Sequence, residues 1–249
     1  MKIKWLGHAS ALIVSDSGQK IITDPFRPGG YPTPDGYLLY FPINESADIV
    51  AVSHDHDDHD RVGEVQGKPQ IVRGDEIKGK GPISVEGIEF KAVPTFHDDS
   101  GGKVLGGNSV LCFEVDGLRI CHNGDLGHSL TDEQLDQIGE VDILLLCAGQ
   151  LKPIGERQFR IDEEGQRVKL PFARYIIDCD AANQTYEQLA PRVTIPIHCS
   201  NDRCSFKIAS VETFLLQKKN VIRLDTSEVE LKKEDLAAES HIVVLRPAL

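Results

Sequence analysis

Residues 54–59 read His-Asp-His-Asp-Asp-His, three imidazoles and a well-placed carboxylate within six positions. Upstream, Asp48-Ile49-Val50-Ala51-Val52 is a short apolar run suited to a buried strand, and Ser53 opens the polar turn that leaves it. The candidate metal ligands therefore sit on a loop at a strand's end. In an irregular turn, His54 and His56 can point one way and Asp58 and His59 another, so one hexapeptide can serve two neighbouring ions. Mixed imidazole and carboxylate donors suit zinc, manganese or iron. Two or three donors per ion leave each set incomplete, and the remainder must come from elsewhere in the chain.

The chain offers them at matching places. His97 follows the strand-like run Glu89–Pro94, Asp125 lies in the turn after Gly117–Cys121, and His198 follows Val193–Ile197. Strand ends converging on one edge of a β scaffold would give His54, His56 and His97 around one metal, and Asp58, His59 and His198 around the other. Asp125 would bridge the two. A lone histidine after a strand is ordinarily a turn residue, and a histidine-rich loop by itself is an adventitious metal binder. The reading rests on five histidines and two aspartates meeting one pattern.

The His-x-His-x-Asp-His signature, followed in order by an isolated His, a Gly-Asp and a late His, resembles the metallo-β-lactamase superfamily of metal-dependent hydrolases. Trp5-Leu6-Gly7-His8-Ala9-Ser10 and Thr23-Asp24-Pro25 resemble the opening of the branch that contains the ascorbate-6-phosphate lactonases and the N-acyl-phosphatidylethanolamine phospholipase D enzymes. The stretch from His97-Asp98-Asp99 to Gly124-Asp125-Leu126-Gly127-His128 looks like a prokaryotic group within that branch. The resemblance runs from residue 2 to about 150 and resumes near 176. It implies an α/β (α+β) fold, a four-layer αββα sandwich of two mixed β-sheets with helices outside, built as one domain over 1–249.

Local signals agree with that expectation. Strand-like runs recur at Lys2–Leu6, Ala11–Val14, Lys20–Ile22, Ile49–Val52, Ile88–Val93, Ser109–Val115 and Leu118–Cys121, with an Asp116-Gly117 turn between the last two. Thr131 followed by Asp132-Glu133-Gln134 is a capping-box start for a helix with Leu135 and Ile138 on one face. Asp180–Leu189 and Phe206–Leu216 read as further helices.

With 249 residues the chain is long enough for a substantial core, and 40% hydrophobic and 27% charged residues mark an ordinary globular composition. A formal charge of -12 without a basic cluster disfavours a nucleic-acid partner. The superfamily's nucleases also carry a large extra domain, whereas about fifty residues follow His198. No apolar run approaches the roughly 18 residues of a membrane span, and Met1 leads straight into a strand without a signal-peptide pattern, so cytoplasm is the default expectation. Cys112, Cys121 and Cys147 lie in apolar runs and no Cys-x-x-Cys occurs, which suits a reduced chain. Cys199 adjoins His198 and could reach the metals, though the ligand set is complete without it. The oligomeric state stays open, a homo-oligomer included.

The expected chemistry is hydrolysis of a small ester, lactone or phosphodiester by hydroxide made at two divalent ions. Two ions about 3.5–4 Å apart can share one water and lower its pKa towards about 7. Asp58 is the candidate base. Asp24 is expected behind the ligands, where carboxylates fix histidine tautomers, with His8 and His128 near them. His122 would order its own turn, and His241 is left without chemistry. The alternatives are a metal-binding sensor or scaffold with little catalysis, and a flavodiiron-type redox protein, a group with a carboxylate where this chain has His56. The polar insertion 151–175 reads as a surface hairpin or as a flap whose Arg157, Arg160, Arg167 or Lys169 meets an anionic small-molecule substrate. The Gly-, Pro- and Tyr-rich segment Phe26–Phe41 could line the same mouth.

Overall fold

The computed structural model describes residues 1–29, 31–33, 36–153, 159–161, 167–169, 175–204, 206, 208–236 and 239–249. In chain order its elements begin with β1 (Lys2–Gly7), β2 (Ser10–Val14), β3 (Lys20–Thr23), β4 (Tyr31–Thr33), β5 (Gly36–Leu38), β6 (Ile49–Val52), β7 (Gln70–Arg73) and α1 (Gly74–Ile77). They continue with β8 (Ile83–Val85), β9 (Ile88–Phe96), β10 (Gly107–Val115), β11 (Leu118–His122), α2 (Asp132–Ile138) and β12 (Ile143–Cys147). Next come β13 (Gln150–Pro153), β14 (Phe159–Ile161), β15 (Arg167–Lys169), β16 (Tyr175–Asp178), α3 (Asp180–Leu189) and β17 (Val193–Ile197). The last are α4 (Val211–Leu215), β18 (Val221–Arg223), β19 (Glu228–Glu230) and β20 (His241–Val244).

Two mixed sheets form the frame. Sheet one has the order β19-β1-β2-β3-β6-β7, and sheet two β18-β20-β17-β12-β11-β10-β9-β8. Pairing is antiparallel around the hairpins β1–β2–β3 and β8–β9–β10–β11, and parallel where β3, β6 and β7 or β11, β12 and β17 adjoin. The alternation of side chains along a strand sorts residues between faces. Ile3, Trp5, Ile13, Ile49 and Ala51 of sheet one meet Phe90, Leu111, Ile120, Leu145 and Ile195 of sheet two in the central core. Leu144 and Leu146, one residue out of phase with Leu145, are buried on the outer face of sheet two with Ile138, Leu189 and Phe214 of the helices. β12 is therefore buried on both faces, which is why it reads as an unbroken apolar run.

Two mixed sheets with helices outside are as expected, α2, α3 and α4 covering the outer face of sheet two, while the outer face of sheet one is closed by a connecting segment. The outward residues Leu6, Leu12, Ile22, Val50 and Val52 of sheet one pack against Phe26, Leu38, Tyr40 and Ile43, which belong to the connection between β3 and β6 that carries the short β4–β5 hairpin. Pro25, Pro28, Pro32, Pro34 and Pro42 in that stretch cannot support a helix interior. One correction concerns Phe206–Leu216, which is helical only from Val211. Ser200 pairs with Ser210 and its amide donates to the Ala209 carbonyl, so Ser210, just before Val211, is held extended. The Thr131 capping box and the helix Asp180–Leu189 are as expected. In the insertion, β13 pairs with β16 and β14 with β15, both antiparallel, as in a hairpin arm. Arg157 lies outside the described residues, and so do the side chains of Arg160, Arg167 and Lys169. Among the described residues no helix is long and apolar enough to cross a membrane.

Leu145 is fully buried between the sheets, whereas Leu216 is 70% exposed. Leu145→Ala should lower the unfolding free energy by about 2–5 kcal/mol, and Leu216→Ala should stay within about 0.5 kcal/mol of the parent. Urea titration followed by circular dichroism measures both.

Candidate metal centre

β6 is buried along its whole length and delivers Ser53 and the hexapeptide to one edge of the sandwich. There the chain turns tightly, the His59 and Asp60 amides donating back to the His56 carbonyl. The turn divides the donors as the sequence suggests. His54, His56 and His97 bring nitrogens together on one side, and Asp58, His59 and His198 gather on the other with His8. Each group lies within 4.8 Å of itself. Asp125 stands between the two, with Oδ2 at 2.9 Å from His97 Nε2 and 3.2 Å from His59 Nε2, and Oδ1 at 3.7 Å from His198 Nε2.

Asp24 lies behind this edge, wholly buried. Its Oδ1 accepts the Ser53 amide at 2.7 Å, and its Oδ2 faces Ser53 Oγ at 2.6 Å, His59 Nδ1 at 2.9 Å and His122 Nε2 at 2.7 Å. The network fixes tautomers. His59 donates from Nδ1 to Asp24, which leaves its Nε2 lone pair facing Asp58 and Asp125. The Ser53 hydroxyl donates to Asp24 and accepts from His54 Nδ1 at 2.9 Å, so the His54 Nε2 lone pair also faces forward. His198 Nδ1 donates to the Gly149 carbonyl at 2.8 Å with the same result.

Asn108 holds Asp125. Its amide donates to Thr95 Oγ1 and to the Asn123 carbonyl, and its Oδ1 accepts the Asp125 amide at 3.1 Å. Gly124 adopts φ +52°, and a Cβ there would lie 2.4 Å from Asn108 Oδ1, so only glycine admits this approach. Ser53, His122, Asn108 and Gly149 are positions that the sequence reading does not assign to the site. The available signal was local: polar residues and a glycine beside apolar strand runs.

The donors carry charge in a way that fits dications. Burial would raise the Asp125 carboxyl, but His198, His59 and His97 hold it well below the usual carboxylate range. Asp58 is likewise held low against burial by His59 and His8, and Asp24 by His122 and His59. Burial pushes His198 down to about 4, and burial with His59 pushes His54 down, which keeps both imidazoles neutral as metal ligands must be. Burial opposes a charged His59, yet Asp125 and Asp58 raise it, and Asp125 raises His97 in the same way. The carboxylates thus draw positive charge to this edge. His59 Nε2, His198 Nε2 and Asp125 Oδ1 are buried without a hydrogen-bond partner and face one another. Unsatisfied buried donors and acceptors are costly, and a metal ion is the group that this nitrogen and oxygen set accommodates.

The remaining histidines separate clearly. His8 Nε2 lies 2.9 Å from Asp58 Oδ2, and its ring packs against His198 with centroids 4.1 Å apart and planes tilted by 46°. His128 instead accepts the Phe96 amide and donates to the Ser129 carbonyl, so it braces the strand end that carries His97 without bonding to the donor set. The His241 amide donates to the Arg192 carbonyl at the start of β20. Cys199 Sγ donates to the Ile197 carbonyl and packs in the outer core of sheet two rather than against the donors.

Comparison with known proteins agrees with this fold. Residues 2–198 match the sequence profile of a β-lactamase superfamily domain. A UPF0173 metal-dependent hydrolase of Methanopyrus kandleri is 26% identical over 270 aligned positions, covering 99% of this chain and 97% of that protein. A UPF0173 metal-dependent hydrolase of Carboxydothermus hydrogenoformans is 29% identical over 220, with 80% and 84% covered. A crystal structure from Thermotoga maritima, described as a zinc-dependent hydrolase of the metallo-β-lactamase superfamily, superposes with a TM-score of 0.66 at 30% identity, covering 98% of this chain and 97% of that one. With most of its length matched and its strand ends meeting at a histidine and carboxylate centre, the chain belongs to the metallo-β-lactamase superfamily of metal-dependent hydrolases.

Proposed function

We propose that the protein cleaves a small ester, lactone or phosphodiester at a dinuclear centre held by His54, His56 and His97 on one side, Asp58, His59 and His198 on the other, and Asp125 between. The observation that carries this reading is the pair of three-nitrogen and mixed-donor groups flanking Asp125. Bound divalent ions supply a water of lowered pKa and an electrophilic hold on the substrate's carbonyl or phosphoryl oxygen. Zinc, manganese and iron all suit the donors. Asp58 Oδ2 is engaged by His8 Nε2, leaving Oδ1 to orient the attacking water and take its proton, the base role. Asp24, Ser53 and Gly149 hold the three imidazole tautomers while this happens. A cavity of about 260 Å³ beside His54 and His56, walled by Asp75 and Lys78, has room for a small substrate. Arg157, Arg160, Arg167 and Lys169 of the 151–175 insertion would favour an anionic one. The shared core of the two sheets supports reading 1–249 as one catalytic unit.

Metal-replete protein should contain two transition-metal ions per chain by elemental analysis and hydrolyse at least one member of a panel of lactones, phosphodiesters and carboxylic esters, with activity lost on chelation. Metal bound without turnover on any class would support a sensor or scaffold role instead, and protein that stays metal-free under saturating zinc, manganese and iron would end the ligand assignment.

Asp58→Ala and His59→Ala are each expected to lose one ion and reduce kcat/KM by at least about 100-fold. His241→Ala should keep both the ions and the activity. Equal damage from all three at unchanged folding stability would show that the wrong histidines had been chosen.

The raised His59 and His97 make metal uptake a proton-releasing event. Both imidazoles keep a proton to higher pH than an ordinary histidine in the metal-free protein, so affinity should rise with pH and fall as the solution is acidified. Calorimetric titration in buffers of different ionisation enthalpy measures the protons released. Uptake without proton release near pH 7 would contradict this assignment of charge.

A further inference from the structure

Sheet two carries on its outer face a pair of thiols that hydrolysis does not use. β10 and β11 are joined by Asp116-Gly117, both at positive φ, 52° and 74°, the type I′ geometry that matches strand twist. Val115 and Leu118 close that turn, and hydrogen-bonded and non-hydrogen-bonded pairs alternate away from it. Cys112 and Cys121 face each other three pairs on. They therefore fall at a non-hydrogen-bonded position, where opposed side chains approach most closely, about 4.5 Å between Cβ atoms.

Their surroundings make the pair reachable. Cys121 is buried and Cys112 is half-buried, the two side by side on the outer face of sheet two. Both line a mainly apolar groove of about 200 Å³, which Ile138 at the end of α2 and Val141 beyond it also line. The half-buried Cys112 is the thiol that a reagent meets first. A disulfide draws its Cβ atoms to about 3.8 Å, closer than opposed strands bring them. One soft atom bonded to both sulfurs spans the wider gap without moving the backbone, and thiolate pairs select such soft centres.

We propose that Cys112 and Cys121 form a dithiol site for an organic trivalent arsenical, whose arsenic bridges the two sulfurs while its organic group lies in the groove. With an arsenoso reagent, R–As=O, two As–S bonds form and the As=O bond and both S–H bonds break. The two thiol protons leave with the oxygen as one water. Neither oxidant nor reductant is needed.

The test treats the folded, full-length protein with one equivalent of phenylarsine oxide and follows intact mass and free-thiol count. One phenylarsenic per chain is expected, with two thiols lost. The adduct should resist excess glutathione, yield to 2,3-dimercaptopropanol and raise the melting temperature by tying β10 to β11. Cys112→Ala and Cys121→Ala should each lose the glutathione-resistant adduct. Cys179→Ala should retain it, which separates this pair from the neighbouring buried cysteines Cys179 and Cys199. Because Cys112 is half-buried and packs at the rim of the core, Cys112→Ala carries the test even if Cys121→Ala folds poorly. A resistant adduct surviving in Cys112→Ala, or no adduct on the parent protein, overturns the proposal.

Discussion

A carboxylate without solvent access is tolerated only when its charge is fully answered, and Asp24 is answered from both sheets. Ser53 and His59 reach it from the end of β6, and His122 from the end of β11. Asp24 itself sits at φ +35°, a left-handed conformation that a non-glycine residue keeps only where its surroundings over-determine it. Thr23, just before it, is locked to β2 through Ser10 Oγ and the Ala11 amide. One buried charge thus positions the hexapeptide, sets the tautomers of His54 and His59, and fixes how the two sheets meet at the edge where the donors gather.

Two further site residues share that backbone strain. His8 at φ +46° and His198 at φ +53° are joined by the hydrogen bond from the His198 amide to the His8 carbonyl. The Trp5 indole donates to the same carbonyl at 2.9 Å. The first strand turn of sheet one therefore braces the last donor of sheet two. β11 has two duties as a result of its pleat. His122 turns inward to Asp24, while Cys121 beside it turns outward to Cys112 and the helical cover.

The strands, and the histidines and aspartates that gather at one edge, were legible in the sequence because both follow from local rules. Alternating or continuous apolar runs bounded by Gly, Asp and Pro mark strands, and histidines and aspartates placed just after them mark donors at strand ends. The capping box at Thr131 obeys a rule only four residues long. The helix expected from Phe206 failed for a non-local reason, the pairing of Ser200 with Ser210. What closes the outer face of sheet one was not legible, because a proline-rich connection buries it through apolar anchors at Phe26, Leu38 and Tyr40 that only tertiary packing brings there.

By itself the sequence determined which segments are strands, which side chains can bind metal, and that they lie at strand ends, since these depend on residue type and short-range periodicity. Tertiary structure alone decided that His122 reaches Asp24 across 98 positions, that Asn108 holds the Asp125 turn, that His8 rather than His128 touches a donor, and that His54 and His198 are buried deeply enough to stay neutral. These facts depend on register and on the packing of one sheet against the other. Both are set by many weak contacts between residues distant in the chain, and no short stretch of sequence contains them.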